Sequence, residues 1–473
     1  MRLKAEAILD FGTDDAQQQN KIVREYRDEY KAISDILNDH PKILETVHRD
    51  LQQLSKATSR RGRKAVFTSE NLLRAIVVMQ REGLDYREAS VRIAESETLQ
   101  RFCRLLRKPT IDFTLLNKAF GALRPETWEM MNHILALGAL AEESITVEHV
   151  RTDTTVTECN IHWPTDSSLL WDVYRVAARE MSYGRELDPF SCPWRFHAKK
   201  VKKLHLTVTR YSSSTSKKRL RQVGQLMKTL IVRVEEVLEK AEKFVAWTRR
   251  STCLELMALG EALADRLDVM RQVAQIARRR AFDGEKVPNR DKVFSIFETH
   301  TELIMRGRRG RPIEFGHKVL LTQSKEKFIT DYVVLEENRS DSELLPLVIE
   351  RHEQRFGSPP ESVAADMGFC PDVETYEELE EQVDYLGVPR RTRDFGDSLM
   401  SVWQQWRAGI EGTISCLKRA FRLAVCCFRG FKNLPPLENL WVDFRWIAGF
   451  GLFSRCRQGF RGVFNLGIGL STR

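Results

Sequence analysis

The chain has 473 residues, of which 42% are hydrophobic and 30% are charged, and its net charge is +9. This length is too great for one ordinary hydrophobic core, so two or three domains are expected. The composition excludes a disordered chain, and no apolar run reaches the roughly 18 residues of a membrane-spanning helix. A membrane partner is therefore not expected. The basic charge is compatible with a polyanionic partner but does not establish one.

The nine cysteines are scattered and form no Cys-x-x-Cys pair or Cys/His cluster along the sequence. We therefore expect reduced thiols in a cytoplasmic protein, associated with the nucleoid if DNA is its partner, and predict no structural zinc site. The N-terminal "MRLKAEAILDFGTDD" lacks the apolar segment of a secretion signal. His300 and His317 lie in strand-like stretches, where core or surface histidines are expected.

Residues 1–145 predict an N-terminal helical domain. In "TSENLLRAIVVMQREG" apolar residues recur at helical spacing between a polar start at Thr68 and a stop at Gly83. A second helix begins in "DYREASVRIAES", where Asp85 and Glu88 have capping-box spacing, and a third follows in "ETLQRFCRLL". Short helices joined by a glycine-containing turn suit a DNA-binding helix-turn-helix or a plain bundle equally well. Four arginines on these helices slightly favour DNA binding: Arg87, Arg92, Arg101 and Arg104.

The central and C-terminal parts of the chain predict a mixed α/β domain with an insertion. The first part of this domain is residues 146–167, and the overlapping stretch "SITVEHVRTDTTVTECNI", residues 144–161, is rich in the β-branched residues that indicate a first strand. Residues 168–290 are helical and highly charged, and could clamp DNA or mediate dimerisation. Strands return in 291–455 with "VFSIFETHTELIM", "EFGHKVLLTQS" and "FITDYVVLEEN", and then alternate with helices. Residues 456–473 are left as a C-terminal tail. The predicted fold class is multidomain α+β.

Three acidic residues lie at the edges of the predicted strands and helices. Asp153 is in the first strand, "VRTDTTV", Asp366 ends the buried strand "SVAAD", and Glu411 is on the late helix "WRAGIEGTISCLKR". A carboxylate at the C-terminal end of a core strand lies where α/β sheets bind ligands. Judged alone, Asp366 could instead be a helix cap or a turn residue, and Asp153 could be a solvent-facing strand residue, but both alternatives are less favoured.

The late helix carries Arg407, Glu411 and Lys418 along one side. An exposed ion pair between residues four apart, worth about 0.3–0.5 kcal/mol, is the ordinary explanation for the first two. Gly409 and Gly412 stand beside them, although glycine inside a helix costs roughly 0.5–1 kcal/mol relative to alanine. We therefore predict a close approach by another element or by a substrate backbone.

Together these residues resemble the DDE transposases of bacterial insertion sequences. The similarity lies in a strand aspartate, an aspartate in "ADMGF", and a glutamate within the spacing Arg-x3-Glu-x6-Lys. The stretches "DTTVTECNIHWPTDSSLLWD", "IFETHTELI" and "EFGHKV" resemble in particular the unclassified, or ISNCY, group. Gln404 departs from the family signature, which has tyrosine at that position.

The resemblance implies an RNase H-like catalytic core, with a helical insertion after its first strand. It implies a catalytic triad of Asp153, Asp366 and Glu411 that binds two Mg²⁺ ions, for which Mn²⁺ can substitute. It also implies double-stranded DNA partners, the transposon ends and the target, in a homo-oligomeric complex. The basic side chains expected to contact DNA phosphates are Arg407, Lys418, Arg390, Arg391 and Arg393. Two alternatives remain, an RNase H-like nuclease without strand transfer and a catalytically inactive DNA-binding remnant.

Overall fold

The structure is a computed structural model, and it describes residues 3–4, 20–54, 65–106, 108–306, 312–390, 398–426 and 430. Arg391, Arg393 and the predicted tail 456–473 lie outside the described residues. Within the described part of the chain, no helix has the length and apolar character needed to cross a membrane.

Seven helices form the described part of the N-terminal domain. They are α1 (Lys21–Asp39), α2 (Pro41–Gln52), α3 (Ser69–Arg81), α4 (Tyr86–Glu95), α5 (Glu97–Phe102), α6 (Phe113–Ala122) and α7 (Pro125–Ala141). All seven contribute to one hydrophobic core, and α3 is buried along nearly its whole length. Capping boxes start α3 at Thr68 and α4 at Asp85. The predicted starts of both helices are therefore confirmed.

The arginines that favoured DNA binding have partners within this helical domain. The pairs are Arg87 over the ring of Phe113, Arg92 with Glu82, Arg101 with Glu97, and Arg104 with Glu70. The helices therefore pack as a bundle in which these cations already have neighbours. DNA binding by this helical domain stays a prediction.

A mixed sheet lies at the centre of the second domain. Its strands are β1 (His149–Cys159), β2 (Glu302–Met305), β3 (Ile313–Ser324), β4 (Ile329–Val334), β5 (Ser362–Ala364), β6 (Tyr385–Gly387) and β7 (Val425–Cys426). The order is β2-β3-β1-β5-β6, with β4 also pairing with β3 and β7 with β1. β3 is antiparallel to β1, whereas β5 is parallel to both β1 and β6. The mixed α/β organisation agrees with the predicted multidomain α+β class.

One predicted strand is mostly wrong. Of "VFSIFETHTELIM", only the residues of β2 form a strand. The hydroxyl of Ser295 accepts hydrogen bonds from the backbone N–H groups of Phe297 and Glu298, each at 3.1 Å. This local turn takes up backbone donors that a strand would offer to its neighbour.

The region between β1 and β2 is occupied by four helices. These are α8 (Asp166–Leu187), α9 (Ala198–Ser212), α10 (Lys217–Thr248) and α11 (Leu254–Phe282). They enclose a hydrophobic core of their own, which Ile296 joins from the segment before β2. Asp166 at the start of α8 forms an ion pair with Arg280 near the end of α11. The chain therefore enters and leaves this helical insertion at neighbouring points.

Helices cover both faces of the sheet. α12 (Leu345–Phe356) and α13 (Val373–Glu380) lie between β4, β5 and β6, and α14 (Ser398–Arg407) and α15 (Gly409–Ala420) follow β6. Side chains alternate along β3: Leu320 packs in the cluster with α12 and α13, whereas Val319 and Leu321 pack with α15. The same alternation on β1 separates Val150, in the first cluster, from Asp153 on the side of α15.

Candidate active site

Asp153 and Asp366 lie close together at one edge of the sheet. The register of β1 and the parallel strand β5 pairs Arg151 with Ala364, the last residue of β5. Asp153 comes two residues after Arg151 on β1, and Asp366 comes two residues after Ala364, in the turn that follows β5. The negative charge of Asp366 acts on Asp153 and raises its pKa. The structure thus brings together two of the three predicted acids.

The Asp153 carboxyl lies in a partly dry environment. Its side chain is only 17% exposed. Burial, followed by the charge of Asp366, raises the pKa of this carboxyl to about 6, although the Thr154 N–H and the cations of Arg407 and Arg306 act in the opposite direction. The Thr154 N–H donates to Oδ1 at 2.7 Å. Ionisation of Asp153 therefore costs free energy in the folded protein, and a bound cation would reduce that cost.

Asp366 also serves as a turn residue. Its Oδ1 accepts a hydrogen bond of 2.8 Å from the N–H of Gly368 and caps the short 3-10 turn Met367–Phe369. The cap fixes one carboxylate oxygen next to the end of β5. The turn function that the sequence left open therefore coexists with the position beside Asp153.

Arg407 connects Asp153 to Glu411. Its Nη1 lies 3.6 Å from Oδ2 of Asp153, and its Nη2 lies 3.2 Å from Oε1 of Glu411. The side chain of Arg407 is 15% exposed, whereas that of Glu411 is 62% exposed. The predicted pair between residues four apart is present, but the same guanidinium also neutralises Asp153. Contact of Arg407 with DNA stays a prediction.

The late helix is broken in two, contrary to the single helix expected. α14 ends at Arg407 and α15 begins at Gly409. Arg151 of β1 donates from Nη1 to the carbonyl of Trp406 at 2.7 Å. The N–H of Glu411 bonds to the carbonyl of Ala408, only three residues back. The Arg151 side chain thus occupies a carbonyl that would otherwise accept a hydrogen bond within the helix, which is enough to break it. The break leaves Glu411 in the first turn of α15, where acidic residues are favoured.

The two glycines of this helix have different surroundings. A Cβ at Gly409 would lie 2.2 Å from Nη1 of Arg151, so the close approach comes from another element of the fold. Among the residues that the structure describes, no atom of another element lies within 4 Å of a Cβ built at Gly412. Gly412 therefore leaves open space beside Glu411, whereas Gly409 admits Arg151.

Gln404 joins α14 to the sheet. Its Nε2 donates to the carbonyls of Ala365 and Gly387, both at 2.9 Å. Ala365 immediately precedes Asp366, so the amide holds α14 against the strand end that carries this acid. The residue that departs from the family signature has a positioning role in this chain.

We expect Gln404→Ala to lower the free energy of unfolding by about 1–3 kcal/mol, because two backbone carbonyls lose their donor. Thermal and urea unfolding monitored by circular dichroism would measure the change. Gln405→Ala removes the neighbouring exposed amide and should change stability by less than about 0.5 kcal/mol. Equal effects of the two substitutions would contradict the role of Gln404.

Of the other residues predicted to contact DNA, the structure describes Lys418 and Arg390. Lys418 is seven residues after Glu411 on α15, about two turns further on the same side of the helix. The guanidinium of Arg390 lies 4.0 Å from the ring centre of Tyr376 and pairs with Glu380 at 2.7 Å. Their contact with DNA remains a prediction.

Oxygen donors at this site suit a hard divalent cation. Asp153 and Asp366 offer neighbouring carboxylates, the ligand type that Mg²⁺ prefers. The pKa of Asp153 is raised because burial and the charge of Asp366 outweigh the favourable charges of Arg407 and Arg306. Glu411 forms an ion pair with Arg407. If Glu411 bound a metal ion, the ion would replace Arg407 as its positively charged partner.

A Cys/His cluster that forms only in the folded chain was missed by the sequence analysis. The possible ligand atoms of Cys159, His300 and His317 lie within 4.8 Å of one another. The inserted helices separate Cys159 from the two histidines along the chain, so no ligand spacing marks the group. The cluster could have been found only by predicting that β2 pairs with β3, because this pairing brings His300 and His317 near each other.

Comparison with known proteins supports a transposase. Residues 18–121 match the family model described as "Transposase domain (DUF772)". The match covers the helices α1 to α5 and nearly all of α6. No curated protein and no solved structure matches the chain. The matched domain supports a transposase function and, with it, DNA as the partner.

Proposed function

We propose that this chain is a DDE transposase of the ISNCY type. It binds the terminal inverted repeats of its own insertion sequence, cleaves the DNA at these ends, and joins the freed ends to target DNA. The observation that carries the proposal is the pair Asp153 and Asp366 at one edge of the sheet, with Asp153 linked through Arg407 to Glu411. The transposase-domain match of residues 18–121 supports the same assignment.

The architecture supports an RNase H-like catalytic core. A mixed sheet with helices on both faces carries the acids on β1, after β5 and on α15. These three elements are far apart in sequence, and β1 lies next to both of the others. The N-terminal helical domain would then hold the DNA ends, and the helical insertion after β1 would lie outside the catalytic core.

Asp153, Asp366 and Glu411 would hold the divalent ions. Two bound Mg²⁺ ions, or Mn²⁺ in their place, would activate the attacking oxygen and stabilise the leaving oxygen of an in-line displacement. The buried Asp153 is ionised above its pKa of about 6 and contributes its charge in a partly dry site. Arg407 holds Asp153 and Glu411 together and limits the repulsion among the acids.

The reaction then proceeds in two displacements at phosphorus. In the first, water attacks a phosphodiester at the transposon end, the bond from phosphorus to O3′ breaks, and a 3′-hydroxyl and a 5′-phosphate result. In the second, this 3′-hydroxyl attacks a phosphodiester of the target, and a target 3′-hydroxyl leaves. Lys418, Arg390, Arg391 and Arg393 would bind phosphates near the cleavage point.

The test uses labelled DNA fragments that carry the repeats flanking the gene, together with a plasmid target and Mg²⁺. We expect nicks at the repeat ends and joined products in the plasmid, and neither product with scrambled ends or with EDTA. Nicking without joining would support the nuclease instead. Salt-sensitive binding without any cleavage would overturn the enzyme assignment in favour of a DNA-binding remnant.

A further inference from the structure

The Cys/His cluster lies away from the acidic site. Cys159 is the last residue of β1, six residues and about 20 Å along the strand from Asp153. His300 lies just before β2, and His317 lies on β3. The Nδ1 of His300 is 2.9 Å from the Nε2 of His317. A thiol and two imidazole nitrogens therefore converge on one point.

The outer nitrogens of both histidines face hydrogen-bond acceptors. Nδ1 of His317 lies 3.1 Å from the carbonyl oxygen of Leu335, and Nε2 of His300 lies 2.9 Å from a carboxylate oxygen of Glu298. Protons on these outer nitrogens would leave the lone pairs of the two inner nitrogens pointing at each other. Metal-binding histidines have this arrangement, in which a carbonyl or a carboxylate fixes the ring through its second nitrogen.

The three ligand residues lie in a largely enclosed part of the fold. Cys159 and His317 are buried, and His300 is half-buried. Glu298 also accepts a hydrogen bond from the N–H of Gly430 at 2.8 Å. Its carboxylate is thereby fixed next to His300.

We propose that Cys159, His300 and His317 bind a zinc ion. One sulfur and two nitrogen donors match the preference of Zn²⁺, and three protein ligands leave one tetrahedral position for water or another donor. Glu298 and the carbonyl of Leu335 position the two rings. Binding releases the thiol proton to solvent, and the ion fastens the segment before β2 to β1 and β3. This site is independent of the proposed transposase chemistry.

The first measurement is the metal content of the full chain, purified without a histidine tag. After incubation with Zn²⁺ and removal of excess metal, we expect about one tightly held zinc ion per chain. Replacement by Co²⁺ should give a near-ultraviolet thiolate-to-cobalt absorption, which carboxylates cannot produce. Wild-type protein that holds no zinc and shows no such absorption would overturn the proposal.

Variants identify the ligands. Cys159→Ser should abolish the thiolate-to-cobalt absorption, whereas Cys192→Ser, which replaces a buried cysteine of the helical insertion, should keep it. Glu298→Gln preserves all three ligands and should weaken zinc binding about 10- to 100-fold, so it tests the site even if Cys159→Ser does not fold. Unchanged absorption in folded Cys159→Ser, or unchanged zinc affinity in Glu298→Gln, would contradict the assignment.

A further variant separates this proposal from the transposase proposal. Asp153→Asn removes a carboxylate of the acidic site and leaves the Cys/His cluster unchanged. We expect the thiolate-to-cobalt absorption to persist in this variant whether or not the chain cleaves DNA. Loss of the absorption would mean that the two sites are not independent and would overturn the ligand assignment.

Discussion

Replacing Asp153 with asparagine is expected to lower the rate of DNA end cleavage by at least about 10³-fold, a size typical of losing an electrostatic catalytic group. Asparagine keeps the shape of the side chain and can still accept the hydrogen bond from Thr154, but it removes the charge that would hold a divalent cation. Single-turnover cleavage in Mg²⁺ measures the rate, and a gel-shift assay measures retained DNA binding. Glu411→Gln should have a similar effect, and because this side chain is largely exposed, its loss should not disturb the fold.

The control for these variants is Glu378→Gln. Glu378 is an exposed acid on α13, outside the acidic site, and its replacement makes the same carboxylate-to-amide change. Cleavage by this control should remain within about twofold of wild type. If Asp153→Asn or Glu411→Gln cleaved as fast as the control, the assignment of the catalytic acids would fail.

The same Asp153→Asn change is expected to stabilise the metal-free protein above pH 6 by about 1–3 kcal/mol. The folded pKa of about 6 lies above the ordinary value of an aspartate, so the folded state binds more protons than the unfolded state between these values. Stability of the wild type therefore falls as pH rises through this window. Asparagine does not ionise, so the stability of the variant does not fall in this way as pH rises. Urea unfolding in EDTA at pH 8 and at pH 4 would measure it, and the difference between the two proteins should shrink toward pH 4.

Addition of Mg²⁺ provides the internal control for this second prediction. A ligand that binds only the folded state raises stability, so Mg²⁺ at pH 8 should stabilise wild type and have little effect on Asp153→Asn. A variant no more stable than wild type at pH 8 without metal would show that the burial of Asp153 is not a cost to the folded state. That result would also remove the electrostatic reason for placing a cation there.

Features set by neighbouring residues could be predicted from the sequence. The start of α4 follows from the spacing of Asp85 and Glu88, and both members of the capping box are present. The position of Asp366 at the end of a buried strand also follows from the local pattern. Its position next to Asp153 depends on which strands pair, and a resemblance to a family supplied that expectation.

Features set by distant contacts could not be predicted. The break between α14 and α15 is caused by Arg151, which is 255 residues away from Trp406. The role of Gln404 depends on two carbonyls that become available only where β5 and β6 end side by side. The local sequence of the late helix contains neither partner, so its periodicity predicts one continuous helix.

The ion pair between Asp166 and Arg280 has a consequence for the order of folding. β1 pairs with β3 only after the chain has passed through α8 to α11, and closing so long a loop is entropically costly in an unfolded chain. The inserted helices have a core of their own, so they can fold without the sheet. Once they are folded, the joined ends of α8 and α11 bring β1 and β3 close together, and sheet formation becomes effectively local. Changes in the length of the inserted helices should then leave the formation of the sheet almost unaffected, provided that the two ends still meet.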